Sequence, residues 1–182
     1  MTQHELSAIS VDLPIVLRLA TENDLAKLEW YGQYRHYRNL FRRAFREQRM
    51  GRRLMLIADC NGYPIGQIFM QLRSAKRVFF GDEDSAYLYA LRVMEMFRGQ
   101  GIGTRLIQQA EVLALENNCT WATIAVAKEN NGARRLYERL NYHVYGDDPG
   151  RWSYLDHKNR VRQVNEPAWL LEKALNKSSD LR

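Results

Sequence analysis

The chain has 182 residues, of which 46% are hydrophobic and 26% charged, as in a folded globular domain rather than a disordered chain. Lysine and arginine total 27 against 21 acidic residues, so the net charge of +6 favours anionic ligands or partners. No run approaches the ~18 apolar residues of a membrane span, and no secretory leader is visible. We therefore expect a cytoplasmic single domain over 1–182 that does not enter a membrane, with frayed tails at 1–13 and 176–182.

The N-terminal part of the chain predicts a short strand followed by two helices. The apolar run 14–20 is typical of a strand, and residues 21–24 are typical of a helix N-cap, so a first helix is expected from about residue 25. Apolar spacing predicts a second helix over about 33–48. That helix carries a stripe of arginines, which is either a site for an acidic substrate or partner or a solvated helix face: Arg35, Arg38, Arg42, Arg46 and Arg49, continued by Arg52 and Arg53.

The middle of the chain predicts strands that are buried on both faces. Two apolar runs, 54–58 and 65–72, flank Asn61-Gly62, which is the strongest short signal for a β-hairpin. Residues 86–94 are nearly all apolar and rich in aromatic side chains, as in a central strand.

The C-terminal half predicts two helices between further strands. A helix is expected over 101–117, a buried strand over 121–127, and a second helix from about residue 130. A hairpin around 156–159 and a last strand near 168–173 follow. Because the unit from 86 to 127 runs strand, helix, strand, it requires a crossover and a parallel strand pair. We therefore expect a mixed sheet with helices on its faces.

A glycine-rich loop joins the strand at 86–94 to the helix that follows. Glycines allow the backbone to approach a ligand closely, and a helix N-terminus presents unpaired amides that bind anions. The spacing matches neither a Walker loop nor a dinucleotide-binding fingerprint, so a tight turn with no ligand is the alternative. The loop residues are Arg98, Gly99, Gln100, Gly101, Ile102, Gly103 and Thr104.

Three segments together resemble the GNAT superfamily of N-acetyltransferases. Arg98-x-x-Gly101-x-Gly103 matches the family signature Q/R-x-x-G-x-G/A, and the strand at Leu91-Arg92-Val93 precedes it, as in the family. The segment 130–142 resembles the second family motif, N-x-x-A-x-x-x-Y-x-x-x-G-F. The resemblance is clear over about 87–145 and implies an α/β fold with a mixed, mostly antiparallel sheet, a central parallel strand pair and helices on both faces.

The resemblance also implies a donor substrate and a set of site residues. The family uses acetyl-CoA, whose pantetheine arm would pair with the strand edge at Leu91 and Val93. Asn130 matches a position that contacts the cofactor, and Tyr137 matches the tyrosine that protonates the departing thiolate. The pyrophosphate would be held by the loop, with the charge of Arg98 and the backbone of Gly99, Gln100, Gly101, Ile102, Gly103 and Thr104.

One departure from the family pattern concerns the general base. Ala125 stands where some members carry a glutamate, so the base that deprotonates the amine stays unassigned. The candidates that could relay a proton through water are Tyr87, Glu95, His36 and His143. Trp152 and Tyr154 either line the acceptor pocket or pack as ordinary aromatic residues.

The expected function is direct acetyl transfer from acetyl-CoA to a primary amine of a small molecule or a protein. A non-catalytic acyl-CoA-binding module is the alternative that Ala125 motivates. The basic charge motivates a nucleic-acid-binding protein, although no reader motif accompanies it. The spacing of Cys60, Cys119 and the four histidines predicts no metal site, and a homodimer is left open.

Overall fold

The protein, analysed as a computed structural model, is described over residues 12–72 and 84–176. Of the predicted tails at 1–13 and 176–182, residues 1–11 and 177–182 lie outside the described residues. The helices are α1 (Arg38–Arg49), α2 (Ile102–Glu116) and α3 (Asn131–Arg139). The strands are β1 (Ile15–Leu19), β2 (Arg53–Cys60), β3 (Tyr63–Leu72), β4 (Ser85–Val93), β5 (Trp121–Ala127), β6 (His143–Asp148), β7 (Arg151–Leu155), β8 (Val161–Asn165) and β9 (Ala168–Ala174).

Seven of these strands form one mixed sheet in the order β1-β2-β3-β4-β5-β9-β6. The central neighbours β4 and β5 run parallel, whereas the other neighbouring pairs are antiparallel. Strands β7 and β8 form a separate hairpin between β6 and β9. The predicted fold class, with its central parallel pair, is confirmed.

Alternating residues of the central strands feed two cores on opposite faces of the sheet. In β2, Leu56 and Ala58 pack with α2 and α3, while Met55 and Ile57 pack with Phe41 of α1. This alternation follows from the period of two in a strand, which sends successive side chains to opposite faces. Helices therefore cover both faces, as predicted.

The first predicted helix is wrong, and the second begins late. Residues 22–24 and 27–29 form only single 3-10 turns, and Trp30, Tyr31 and Gly32 then adopt positive φ angles of 42°, 57° and 98°. The indole of Trp30 donates a 2.8 Å hydrogen bond to the Pro64 carbonyl, a long-range contact that local spacing does not reveal. The left-handed residues interrupt the helical path, because non-glycine side chains rarely adopt such angles within a helix.

In the described part of the chain, no helix is long and apolar enough to cross a membrane.

Candidate active site

The parallel strands β4 and β5 separate from each other halfway along their length. They pair only from Ser85 with Trp121 to Leu88 with Ile124. Beyond that point, Ala90 takes a positive φ of 55°, and the pairing of β4 with β3 shifts in register. A bulge of this kind bends the strand that contains it. The second half of β4 therefore leaves a gap toward β5.

The edge of β4 that faces this gap has backbone groups available for a ligand. The Met94 amide donates to the Ile65 carbonyl at 2.8 Å and so faces β3. Because successive amides in a strand point to opposite edges, the amides of Leu91 and Val93 face the gap. The Val93 carbonyl accepts a 3.0 Å hydrogen bond from Nε of Arg98, which ties the glycine loop to the strand end.

The glycine loop presents an open backbone surface at the start of α2. Gly99 and Gly101 have φ angles of 75° and 80°, and a Cβ added to either would meet no atom within 4 Å. Among the described residues, no acceptor is bonded by the backbone amides of residues 99–104. An open row of amides at a helix N-terminus fits the charge and shape of a pyrophosphate.

Helix α3 meets the loop and β4 at a single crossing point. A Cβ added to Gly103 would lie 3.8 Å from Cδ2 of Leu136 and 3.9 Å from Cγ2 of Val93. Asn130 directly precedes the helix, and its Oδ1 accepts a 3.0 Å hydrogen bond from the Ala133 amide. The segments singled out by the sequence are thus brought together, and Asn130 has the additional role of an N-cap.

Tyr137 lies inside α3 with its ring in the core. Its side chain is 2% exposed, and its ring packs edge-to-face on Tyr142 at a centroid distance of 5.6 Å. Burial, followed by the neighbouring Tyr87 of β4, raises the pKa of Tyr137 above its ordinary value. The phenol is therefore protonated throughout the physiological pH range and is adjacent to β4, where the strands begin to separate.

The β7–β8 hairpin packs on α1, which covers the face of the sheet opposite to α2 and α3. The rings of Tyr37 and Tyr154 are 5.2 Å apart, and Nδ2 of Asn39 donates to the Asp156 carbonyl at 2.6 Å. Tyr154 is therefore part of the contact between the hairpin and α1. Trp152 is 43% exposed, and its ring lies 5.4 Å from that of Tyr154.

A buried carboxylate shapes the turn of this hairpin. Asp156 accepts hydrogen bonds from the amides of Lys158 and Arg160 and from the guanidinium groups of Arg160 and Arg162. Burial opposes the ionisation of Asp156, but these hydrogen bonds outweigh it and hold the pKa of Asp156 below its usual range. The turn is thus held by charge-assisted hydrogen bonds within the hairpin itself.

The candidate bases are scattered rather than brought together. Glu95 and His143 are exposed, and Ala125 offers no ionisable group. Tyr87 stacks on Tyr89 at 5.7 Å, and burial raises the pKa of Tyr87 above its ordinary value. His36 lies against Tyr37, and burial, followed by the charge of Arg92, lowers its pKa.

Arg92 is a site residue that the sequence analysis did not single out. Its guanidinium lies 4.5 Å from the ring centroid of Tyr34 and 5.0 Å from that of Tyr37. The signal was present, because Arg92 is the one charged residue within the apolar segment 86–94. A buried charge inside an apolar strand requires a partner or a function.

The arginine stripe of α1 divides into two groups. Arg38 and Arg35 pair with Glu29 at 2.5 and 3.9 Å, and both Arg43 and Arg53 pair with Glu47. The other arginines are exposed and form no ion pair within the described residues: Arg42, Arg46, Arg49 and Arg52. Over the same residues, no group of three potential ligands could hold a metal ion.

Comparison with known proteins agrees with this geometry. The model of the acetyltransferase (GNAT) family matches residues 18–142. An N-alpha-acetyltransferase MAK3 of Arabidopsis thaliana is 31% identical over 61% of this chain, and N-alpha-acetyltransferase 60 of Xenopus tropicalis is 27% identical over 66%. The alignments span only 60% and 53% of those two relatives.

A solved structure shows the same fold. The crystal structure of Arabidopsis thaliana NAA60 in complex with acetyl-CoA aligns with a TM-score of 0.67 at 20% identity. It covers 90% of this chain and 99% of that one. With a family model matched across both glycine loop and α3, the chain belongs to the GNAT family of acetyltransferases.

Proposed function

We propose that this protein is an N-acetyltransferase that transfers the acetyl group of acetyl-CoA directly to a primary amine. The observation that carries the proposal is the gap between β4 and β5, together with the amides of residues 99–104, which bond no acceptor in the part of the chain that the structure describes. An extended thioester with a pyrophosphate at one end fits these two features together. The family to which the chain belongs supports this assignment.

The donor would bind through backbone groups more than through side chains. The amides of residues 99–104 would hold the pyrophosphate, and Arg98 would add a positive charge. The pantetheine arm would occupy the gap and pair with the amides of Leu91 and Val93, replacing the missing contact with β5. Asn130 would contact the donor from the start of α3.

The transfer needs a stabilised oxyanion and a protonated leaving group. The amine nitrogen attacks the thioester carbon, and the amide of Val93 would donate to the oxygen on which negative charge develops. The carbon–sulfur bond then breaks, and Tyr137 would give its proton to the thiolate. The proton lost by the amine would leave through water, because Ala125 leaves the family's carboxylate position without a base.

Two measurements on the purified protein test this proposal. Calorimetry would detect acetyl-CoA binding, and a thiol-release assay would follow transfer to a panel of amines. Peptide N-termini come first in the panel because two relatives are named N-alpha-acetyltransferases. Release of coenzyme A that requires an amine supports the proposal.

The same experiment separates the alternatives. Tight acetyl-CoA binding with no transfer to any amine would replace the proposal with a non-catalytic binding module. Absence of acetyl-CoA binding, together with nucleic-acid binding that weakens steeply with salt, would assign the exposed arginines of α1 a different role.

A further inference from the structure

The guanidinium of Arg92 has two aromatic partners but an unbonded edge. Tyr34 and Tyr37 both lie within 5.0 Å of it, and Arg92 forms no ion pair within the described residues. Its Nη1 atom is buried and has no hydrogen-bond partner there. Ring contacts satisfy the charge but not the in-plane N–H groups, which require an acceptor when buried.

The polar side chains near Arg92 include histidines. His36 and His157 lie nearby, and Nδ1 of His157 is a second buried atom without a partner in the described part of the chain. The carboxylates that interact with these two histidines are already bonded, since Glu29 pairs with Arg38 at 2.5 Å and Asp156 pairs with Arg162 at 2.9 Å. Within residues 12–72 and 84–176, the guanidinium of Arg92 therefore has no carboxylate partner.

Arg92 is also placed beside the reacting atoms of the proposed transfer. It stands between Leu91 and Val93, whose amides face the gap, and neighbouring Cα atoms are about 3.8 Å apart along a chain. Its side chain extends instead toward Tyr37, which contacts Tyr154 of the β7–β8 hairpin. A group bound by Arg92 would thus lie on the α1 side of β4, away from the glycine loop.

We propose that Arg92 binds a carboxylate of the acceptor, so that the protein acetylates amines that also carry an acidic group. The inference rests on the proposed function and names the substrate class of that same site. A carboxylate is planar and accepts two parallel hydrogen bonds from a guanidinium, which would supply the acceptor that the buried Nη1 of Arg92 lacks. Free α-amino acids and peptides with an acidic side chain near the N-terminus share this chemistry.

Matched acceptors test the inference. One arm compares peptides that begin with Glu or with Gln, and the other compares glycine with glycinamide. In whichever pair the protein acetylates, the wild-type KM should be roughly 10- to 100-fold lower for the acceptor that carries the carboxylate than for its amide counterpart. The Arg92→Met variant should have equal KM values for the two acceptors of a pair, whereas Arg92→Lys should retain part of the difference. Because each ratio is compared between proteins, differences in intrinsic amine reactivity cancel.

A control variant removes a second arginine whose guanidinium also lies over a tyrosine ring. Arg53 also lies over a ring, that of Tyr89 at 5.1 Å, but it is bonded to Glu47. Arg53→Met should reduce stability and leave the carboxylate preference unchanged. Acetyl-CoA affinity should be equal in wild type and Arg92→Met.

A binding measurement gives a result that needs no turnover. N-acetylated Glu and Gln peptides, with acetylglycine and its amide, would be titrated into protein saturated with coenzyme A. The inference is supported, even if transfer is slow, when the wild type binds the ligand with the carboxylate more tightly than its amide counterpart and Arg92→Met binds both equally. Equal binding of both members by the wild type overturns it, while failure to bind acetyl-CoA would instead overturn the proposed function.

Discussion

At Tyr137, packing and the proposed chemistry require the same side chain. The ring fills the space beside Tyr142, and the buried phenol has a raised pKa next to Tyr87. Apolar spacing in α3 predicts only a core aromatic at this position, and the motif adds the role of a proton donor. A substitution that removes the hydroxyl but keeps the ring separates the two roles.

Tyr137→Phe should lower kcat by ~10²–10⁴, the usual contribution of acid catalysis, with little change in acetyl-CoA affinity. Steady-state kinetics across pH and calorimetry would measure both. The matched control is Tyr142→Phe, which removes a 2.9 Å hydrogen bond to Glu111 and should cost about 1 kcal/mol of stability without lowering kcat. A Tyr137→Phe enzyme as fast as wild type, under conditions where chemistry is rate-limiting, would leave Tyr137 with a packing role only.

The elements that position the site are the bent strand β4 and the loop that begins α2. The bulge at Ala90 turns the strand away from β5, and the left-handed glycines 99 and 101 turn the chain so that its amides stay open. Neither feature depends on a charged side chain. We therefore expect donor binding to be more sensitive to the backbone of the loop than to surface charge.

Gly101→Val should weaken acetyl-CoA binding by roughly 10- to 100-fold, because a side chain in this cradle blocks at least one charged hydrogen bond. The control is Gly62→Val in the β2–β3 turn, where φ is 81° and the space is equally open. Both variants should lose about 2 kcal/mol of stability through the left-handed backbone, but only Gly101→Val should lose affinity. Calorimetry on folded samples would decide, and equal affinities would remove the loop from the donor site.

Over the whole molecule, carboxylates bonded to arginine link segments that are distant in sequence. Arg18 of β1 pairs with Asp24 at 2.7 Å and with Asp59 of β2 at 2.6 Å. Burial opposes ionisation of Asp24, but hydrogen bonds from Arg18 and Thr21 lower the pKa of Asp24 to about 2. Since its ordinary pKa is about 3.9, folding favours the ionised form.

Asp24 should therefore stabilise the fold fully above about pH 4, by ~2 kcal/mol, and this contribution should disappear as the pH falls through about 2. Urea unfolding of wild type and Asp24→Asn between pH 2 and 7 would measure it, and the two curves should converge at the acidic end. Asp147→Asn, which breaks an exposed 3.3 Å pair with Lys128, should change stability by less than about 0.5 kcal/mol. A difference between wild type and Asp24→Asn that does not vary with pH would contradict the assignment.

The strands, α2 and α3 could be predicted because their signals are local. Apolar period, the Asn61-Gly62 turn and the Asn130 cap each act within a few residues, and the structure confirms them. The family motifs predicted a set of site residues, and their individual roles stay predictions, as do the single-domain extent over 1–182 and the cytoplasmic location.

By itself, the sequence determined the succession of strands along the chain, the glycine loop and the motif in α3, since local hydrogen bonding and residue spacing specify these features. Only the tertiary structure decided that no helix forms from residue 25, because Trp30 bonds to Pro64 across the fold. It also decided the environment of Arg92, which depends on where α1 and the β7–β8 hairpin pack. Contacts between residues far apart in the chain depend on strand register and on packing, and neither is encoded within a short window of sequence.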